Sequence, residues 1–191
     1  EGIGWDPYPS SLRIVNWIKW AARGNQLEPK WLKSLALQAR WLRKRLEYHL
    51  LANHLFTNAK ALVFAGAFFE GDEATEWLRK GLSILEKEMP EQILPDGGHF
   101  ERSPMYHSTI LEDLLDLVNL FGAMAENGDD RNLDASLISR VARTAGSYSA
   151  SMLEFLKGMC HPDGEISFFN DSAFGVAARP RALFEYAERL G

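Results

Sequence analysis

The sequence predicts an all-α protein built from antiparallel helical hairpins packed side by side. Three observations carry that expectation. Apolar residues recur at three- and four-residue spacing through most of the 191 residues. Almost nothing alternates with the period of two that marks a half-buried strand. Glycine, proline or serine stands near the ends of most apolar stripes, where helices begin and stop. With 46% hydrophobic and 12% aromatic residues the chain can bury a core, and one domain over residues 1–191 is expected.

The elements follow in order. Ser10 or Ser11 is suited to cap a first helix ending at Gly24, and Pro29 to open a second. Trp31, Leu35, Gln38, Leu42 and Leu46 give the second its stripe, with an end expected near Tyr48. A third helix is expected to begin between Leu55 and Asn58 and to stop at Gly71, which leaves Asn53 and His54 at a junction. Ala74, Trp77, Leu78, Leu82, Leu85 and Met89 predict a fourth, stopped by Pro90. Ile110, Leu114, Leu117, Phe121 and Met124 predict a fifth ending near Gly128. Leu137, Val141, Ala145, Tyr148, Met152, Phe155 and Met159 predict a sixth, and a short helix follows Pro180. No repeat of the TPR or HEAT kind is visible.

Charge narrows the partners. The net charge is −5 and the pI about 5.6. Arg40, Arg43, Lys44 and Arg45 read as a solvated helix face and not as a basic stripe, so no nucleic-acid partner is expected. Cys160 is the one cysteine, which rules out an internal disulfide. No apolar run reaches the length of a membrane span, and no signal peptide is visible. The chain does not begin with Met and is expected to be a piece of something longer.

Chemistry concentrates in three places. Residues 95–107, PDGGHFERSPMYH, pack titratable side chains onto one interhelical connection, and residues 160–178 form a second long one. His49, Asn53, His54 and Asn58 interrupt a leucine-rich stretch, where each needs a hydrogen bond to be tolerated. Nucleophile elbows, P-loops, GxGxxG, HExxH and CxxC motifs are absent, and His99 and His107 do not have a metal-ligand spacing, so neither metal nor cofactor is expected. Three readings of the polar cluster stand. Tyr106 is a catalytic acid or base with Asn53 neutralising charge. Alternatively, Asp96 and Glu101 are the carboxylate pair of an inverting glycoside hydrolase. Thirdly, the residues are structural: a turn at Asp96-Gly97, a helix start at Ser103-Pro104, and Arg102 paired with Glu101 or Glu112. Trp17 and Trp20 read as core, Trp5 and Tyr8 as core or sugar-stacking, and Asn170 and Asp171 as the cap of a following helix.

The blocks WDPYPSSLRIVNWIKW (5–20), LEYHLLANHLFTNAKALVFAGAFFEG (46–71), EQILPDGGHFERSPMYHSTILEDLLDL (91–117) and HPDGEISFFNDSAFG (161–175) resemble, in that order, the heparinase II/III-like polysaccharide lyases, a group that includes alginate and oligoalginate lyases. The resemblance implies an incomplete α/α toroid, here truncated before the β-sandwich region that follows it in the family. It implies that Asn53 holds the uronic acid carboxyl group, that Tyr106 is general acid and in some members also base, and that His54 contacts substrate. A further family histidine comes from the β-rich region and has no counterpart here. The implied substrate is an acidic polysaccharide, with alginate, heparan-type glycan and exopolysaccharide all open. The implied location is periplasmic or secreted.

That chemistry suits those residue types. A lyase removes the C5 proton of a uronic acid and expels the 4-O-linked sugar, so negative charge grows on a group already anionic. An Asn amide can hydrogen-bond the carboxyl group without adding charge. A Tyr hydroxyl can protonate the leaving oxygen. An ordinary phenol ionises near pH 10 and needs a cation beside it to act as base. Arg102, His99 and His107 are the candidates for that field, and with Glu101 they are expected to bind substrate. Asn53 and Tyr106 lie 53 residues apart, the span of one hairpin and its loops, so both are expected at one cleft. A non-catalytic carbohydrate-binding domain is the remaining alternative.

Overall fold

A computed structural model describes residues 2–50, 52–126 and 135–191. Seven α-helices account for most of them: α1 (Pro7–Ala22), α2 (Pro29–Arg43), α3 (Asn53–Phe68), α4 (Asp72–Gln92), α5 (Pro104–Glu126), α6 (Ala135–Met159) and α7 (Pro180–Leu190). A short 3-10 turn, Ile3–Trp5, precedes them. The described residues contain no β-strand, only two isolated bridges. No helix among them is long and apolar enough to cross a membrane. The expected end of the fifth stripe near Gly128 lies outside the described residues.

Local chemistry explains most boundaries. Prolines open α1, α2, α5 and α7, where the missing N–H costs nothing. Gly24, with φ 86°, and Gly71, with φ 93°, follow helix ends in the left-handed conformation expected of them. Four boundaries differ from the sequence expectation, the first being that α3 begins at Asn53 and not between Leu55 and Asn58. α1 starts at Pro7, so Ser10 and Ser11 lie buried inside it, and Ser11 Oγ donates to Pro7 O at 2.8 Å. α2 stops at Arg43 rather than near Tyr48, because Glu47 N is drawn to Asn58 Oδ1 at 3.0 Å instead of continuing the helix. α4 runs through Pro90 to Gln92.

The described residues divide into two compact units, residues 2–85 and residues 86–126 with 135–191. In the first, α1 packs on α3 and on α2. Ile14, Leu35, Leu42, Phe56 and Leu62 are fully buried there. Two glycines permit a close helix approach: a Cβ on Gly81 would lie 2.6 Å from Ala59 O, and one on Gly66 would lie 2.5 Å from Leu78 N. Trp20 and Trp31 correct the core reading of Trp20. They are 43% and 36% exposed and, with Trp17, line a groove of about 450 Å³. Trp5 packs edge-on against Trp41 at 5.7 Å and accepts its indole N–H.

In the second unit α5 packs on α6 and α7. The same hairpin occurs there twice. Ile93 bridges His99 across ILPDGGH, and Cys160 bridges Ile166 across CHPDGEI. In each, the glycine N–H closes the turn, Gly97 to Leu94 O at 2.9 Å and Gly164 to His161 O at 2.8 Å. In each, the aspartate accepts the next-but-one N–H, Asp96 from Gly98 at 2.9 Å and Asp163 from Glu165 at 3.0 Å. Both glycines have positive φ, 86° and 82°. This is a type I turn followed by a left-handed residue, one of the standard three-residue hairpin loops. The two long connections are therefore one structural device used at two places.

Candidate functional site

In the first unit the chemistry gathers at the start of α3. Ala52 has φ 80°, an unfavourable value for a side chain with a Cβ, and α3 begins at Asn53. Asn53 is 6% exposed, and its carboxamide has no hydrogen-bond partner among the described residues. His54, next to it, is half-buried. Its ring lies 4.6 Å from that of Tyr8, and its Nδ1 is 3.2 Å from Glu47 Oε1. Glu47 is held from behind: Asn58, fully buried, donates from Nδ2 to Glu47 Oε2 at 3.0 Å and to Ser11 Oγ at 3.1 Å. Asn58 thus supports Glu47, whose Oε1 lies beside the imidazole without a hydrogen bond to Nδ1. Glu47 joins this cluster without being singled out by the sequence reading; its only signal is a carboxylate beside a run of His and Asn in an apolar stretch.

In the second unit the chemistry gathers before and within the first turn of α5. Ser103 caps the helix: His107 N donates to its carbonyl at 2.8 Å and Tyr106 N to its hydroxyl at 3.4 Å. Tyr106 therefore sits in the first turn, half-buried, with Oη donating to Asp171 Oδ2 at 3.4 Å. Partial burial, then the Asp171 and Glu101 carboxylates, raise the phenol above its usual value. Tyr106 is a neutral hydroxyl at ordinary pH, a proton donor and not a standing phenolate.

The expected cations do not supply a field for it. His99 and His107 are 2% and 1% exposed. Burial lowers His99 to about 3, with His107 adding to the effect. Burial lowers His107 to about 4, although the Met152 carbonyl and Asp96 oppose the shift. Both rings are neutral at pH 7. Gln92 Nε2 donates to Glu88, so its Oε1 faces His99 Nε2 at 3.2 Å and assigns the proton to that nitrogen. His107 Nε2 likewise donates to Met152 O at 3.0 Å. Through Nε2, His99 ties the hairpin to the end of α4 and His107 ties α5 to α6. His99 Nδ1 lies 3.6 Å from Glu101 Oε2, beyond hydrogen-bond distance. Arg102 is exposed, with φ 55°. Arg102, Asp96, His99 and His107 are among the residues lining a cavity of about 320 Å³.

Asp96 has the same turn-closing bond as Asp163 in the second hairpin. Its carboxylate is accounted for by loop chemistry, which weakens its case as half of a hydrolytic pair. Asn170 and Asp171 do not cap a helix, since the next begins at Pro180. Among the described residues no three His, Cys, Asp or Glu side chains are grouped to hold a metal ion.

An all-helical chain with buried polar side chains at helix starts fits the helical part of a polysaccharide lyase, and comparison with known proteins supports that class. The model of the heparinase II/III N-terminus matches residues 23–188, and the chain belongs to that family. It is 31% identical over 178 residues to a heparin-sulfate lyase of Bacteroides thetaiotaomicron, covering 88% of this chain and 24% of that protein. A heparin-sulfate lyase of Pedobacter heparinus is 27% identical over 144 residues, covering 75% of this chain and 20% of that protein. Among solved structures, heparinase III superposes with a TM-score of 0.68 at 23% identity over 96% of this chain and 28% of that one. The heparan sulfate lyase HepC of P. heparinus gives 0.55 at 24% identity, over 85% and 25%. The all-α fold is thus that of the heparinase α/α-toroid class. The chain spans about a quarter of the length of these relatives.

Proposed function

We propose that this chain is the helical part of a polysaccharide lyase that cleaves uronic-acid-containing glycans of the heparan type by β-elimination. The observation that carries the reading is the family match together with the neutral, carboxylate-flanked phenol of Tyr106 in the first turn of α5. The choice of a heparan-type glycan over alginate rests on the relatives, which are heparin-sulfate lyases.

In this reading Asn53 donates its amide to the uronic carboxyl group as negative charge grows there. Its place, buried at the first position of α3 beside His54, supports that role. His54, stacked on Tyr8 and beside Glu47, contacts the sugar. Tyr106 gives its hydroxyl proton to the departing 4-O oxygen, which regains a neutral hydroxyl as the C4–O bond breaks. The C5–H electron pair becomes the C4–C5 double bond. The C5 proton is taken by a base, which the family resemblance assigns to a histidine of the β-rich region. The exposed Arg102 is suited to a substrate carboxylate or sulfate. A polymer substrate of this kind places the whole enzyme in the periplasm or outside the cell.

The test is ultraviolet absorbance of heparan-type digests. A longer polypeptide containing this chain is expected to release products with a 4,5-unsaturated uronyl end. The chain alone is expected to bind such oligosaccharides weakly and to cleave them orders of magnitude more slowly, since open water weakens each electrostatic contact. New reducing ends without ultraviolet absorbance would refute elimination.

A further inference from the structure

Among the described residues of the second unit, three other than glycine have left-handed backbone: Arg102 at φ 55°, Asn170 at 47° and Asp171 at 59°. Side chains with a Cβ adopt that region at a cost, and two in succession need surroundings that hold them there. The surroundings are a set of bonds between residues 170–172 and the entry to α5. Asn170 Nδ2 donates to Arg102 O at 3.0 Å. Ser172 Oγ lies 3.1 Å from Ser103 Oγ and accepts from Met105 N at 3.3 Å. Between them, Asp171 Oδ2 accepts from Tyr106 Oη at 3.4 Å. All four contacts end on residues 102–106. The second connection thus clasps the one turn that carries Tyr106.

We propose that Asp171 is a positioning residue for Tyr106: its carboxylate receives the phenolic hydrogen bond, fixes the hydroxyl rotor and keeps the proton on the oxygen until substrate arrives. The proposal rests on the reading of Tyr106 as general acid. A free hydroxyl at an open site would rotate among water partners. A carboxylate held on a strained, doubly anchored loop gives it one direction. The bond is long at 3.4 Å, which is common where the partner that completes a catalytic geometry is the substrate itself. Asp171 takes no proton in the step. The O–H bond of Tyr106 breaks towards the leaving oxygen, and the resulting phenolate, disfavoured beside Asp171, is rapidly reprotonated from solvent or by the base-borne proton. The charged groups acting on the phenol are the Asp171 and Glu101 carboxylates, while the neighbouring His99 and His107 are neutral.

Two measurements test this. In the 191-residue chain with ring-labelled tyrosines, the Tyr106 resonance, identified by its loss in Tyr106→Phe, is followed against pH by NMR. Asp171→Asn tolerates the left-handed backbone and retains an acceptor oxygen but removes the charge. The Tyr106 phenol is expected to ionise at lower pH in that variant, and an unchanged titration would overturn the proposal. In a lyase polypeptide containing this chain, Asp171→Asn is expected to lower kcat with KM nearly constant, and to move the alkaline limb of the kcat profile to lower pH. Asp171→Gly relieves the backbone strain and removes the acceptor, so it is expected to be folded and slow. Wild-type kcat in Asp171→Gly would reduce Asp171 to a loop residue and defeat the proposal. Full activity in Tyr106→Phe would instead defeat the lyase reading, whatever the phenol titration in the isolated chain shows.

Discussion

Tyr106 and Asn58 show how differently two polar residues in apolar surroundings are used. Asn58 has every polar atom satisfied, by Glu47 and Ser11, and supports the site from beneath. Asn58→Leu removes a donor to the buried Glu47 carboxylate, and urea unfolding is expected to show a loss of roughly 2–3 kcal/mol. Tyr106 is half-buried, and its hydroxyl makes one long bond, to Asp171. In a polypeptide that turns over, Tyr106→Phe is expected to lower kcat by at least about a hundredfold while KM changes little, because the hydroxyl acts mainly in the transition state. A rise in KM at constant kcat would make Tyr106 a binding residue only. His99 and His107 add a pH dependence. Their folded values near 3 and 4 lie below the ordinary 6.5, so the unfolded chain binds protons that the folded chain does not. The stability they contribute is full above about pH 6.5 and is lost as pH falls through about 4 for His107 and about 3 for His99. The urea midpoint is expected to drop through that window, and His107→Gln to flatten the slope. A midpoint that is level from pH 7 to 4.5 would contradict the buried, neutral assignment. Sequence alone suggested these histidines as cations, because their spacing on a polar loop carries no sign of how deeply the loop is buried.

At the scale of elements, the paired PDG hairpins are open to view in the sequence, as LPDGG and HPDGE, although they do not recur at solenoid spacing. Their packing was not legible. A Cβ on Gly97 would meet Ser151 O at 2.4 Å, whereas one on Gly164 meets nothing within 4 Å. Both substitutions to alanine strain a left-handed backbone, at about 1–2 kcal/mol. Gly97→Ala is expected to cost roughly 1–3 kcal/mol more from overpacking, so its thermal midpoint should fall clearly further than that of Gly164→Ala. Equal losses would mean that the first hairpin does not press on α6 as described. The end of α2 shows the opposite balance. Lys44, Arg45, Leu46 and Glu47 all favour helix by propensity, but Asn58 captures the Glu47 N–H and Arg45 stacks at 3.4 Å over Trp41. Tertiary contacts decide that boundary, and no local pattern announces them. Asp171 departs from the cap expected of it for a related reason: an Asx residue in a loop serves equally as a cap or as a side-chain acceptor, and its acceptor role depends on a contact 65 residues away.

At the scale of the molecule, periodicity was enough for the helical class, and four sequence blocks were enough for the family. The residue roles needed more. Asn53 is singled out by likeness to a motif, and the structure adds that the residue is buried at the first position of α3. The central claim is that the parent enzyme works by elimination with Tyr106 as acid. The most direct measurement is the ultraviolet absorbance of heparan sulfate digested by a polypeptide containing this chain, compared between wild type and Tyr106→Phe at equal reducing-end yield and at equal time. The account predicts absorbance in step with new chain ends for the wild type and almost none of either for the variant. Chain ends accumulating without absorbance, or at an undiminished rate in Tyr106→Phe, would contradict it.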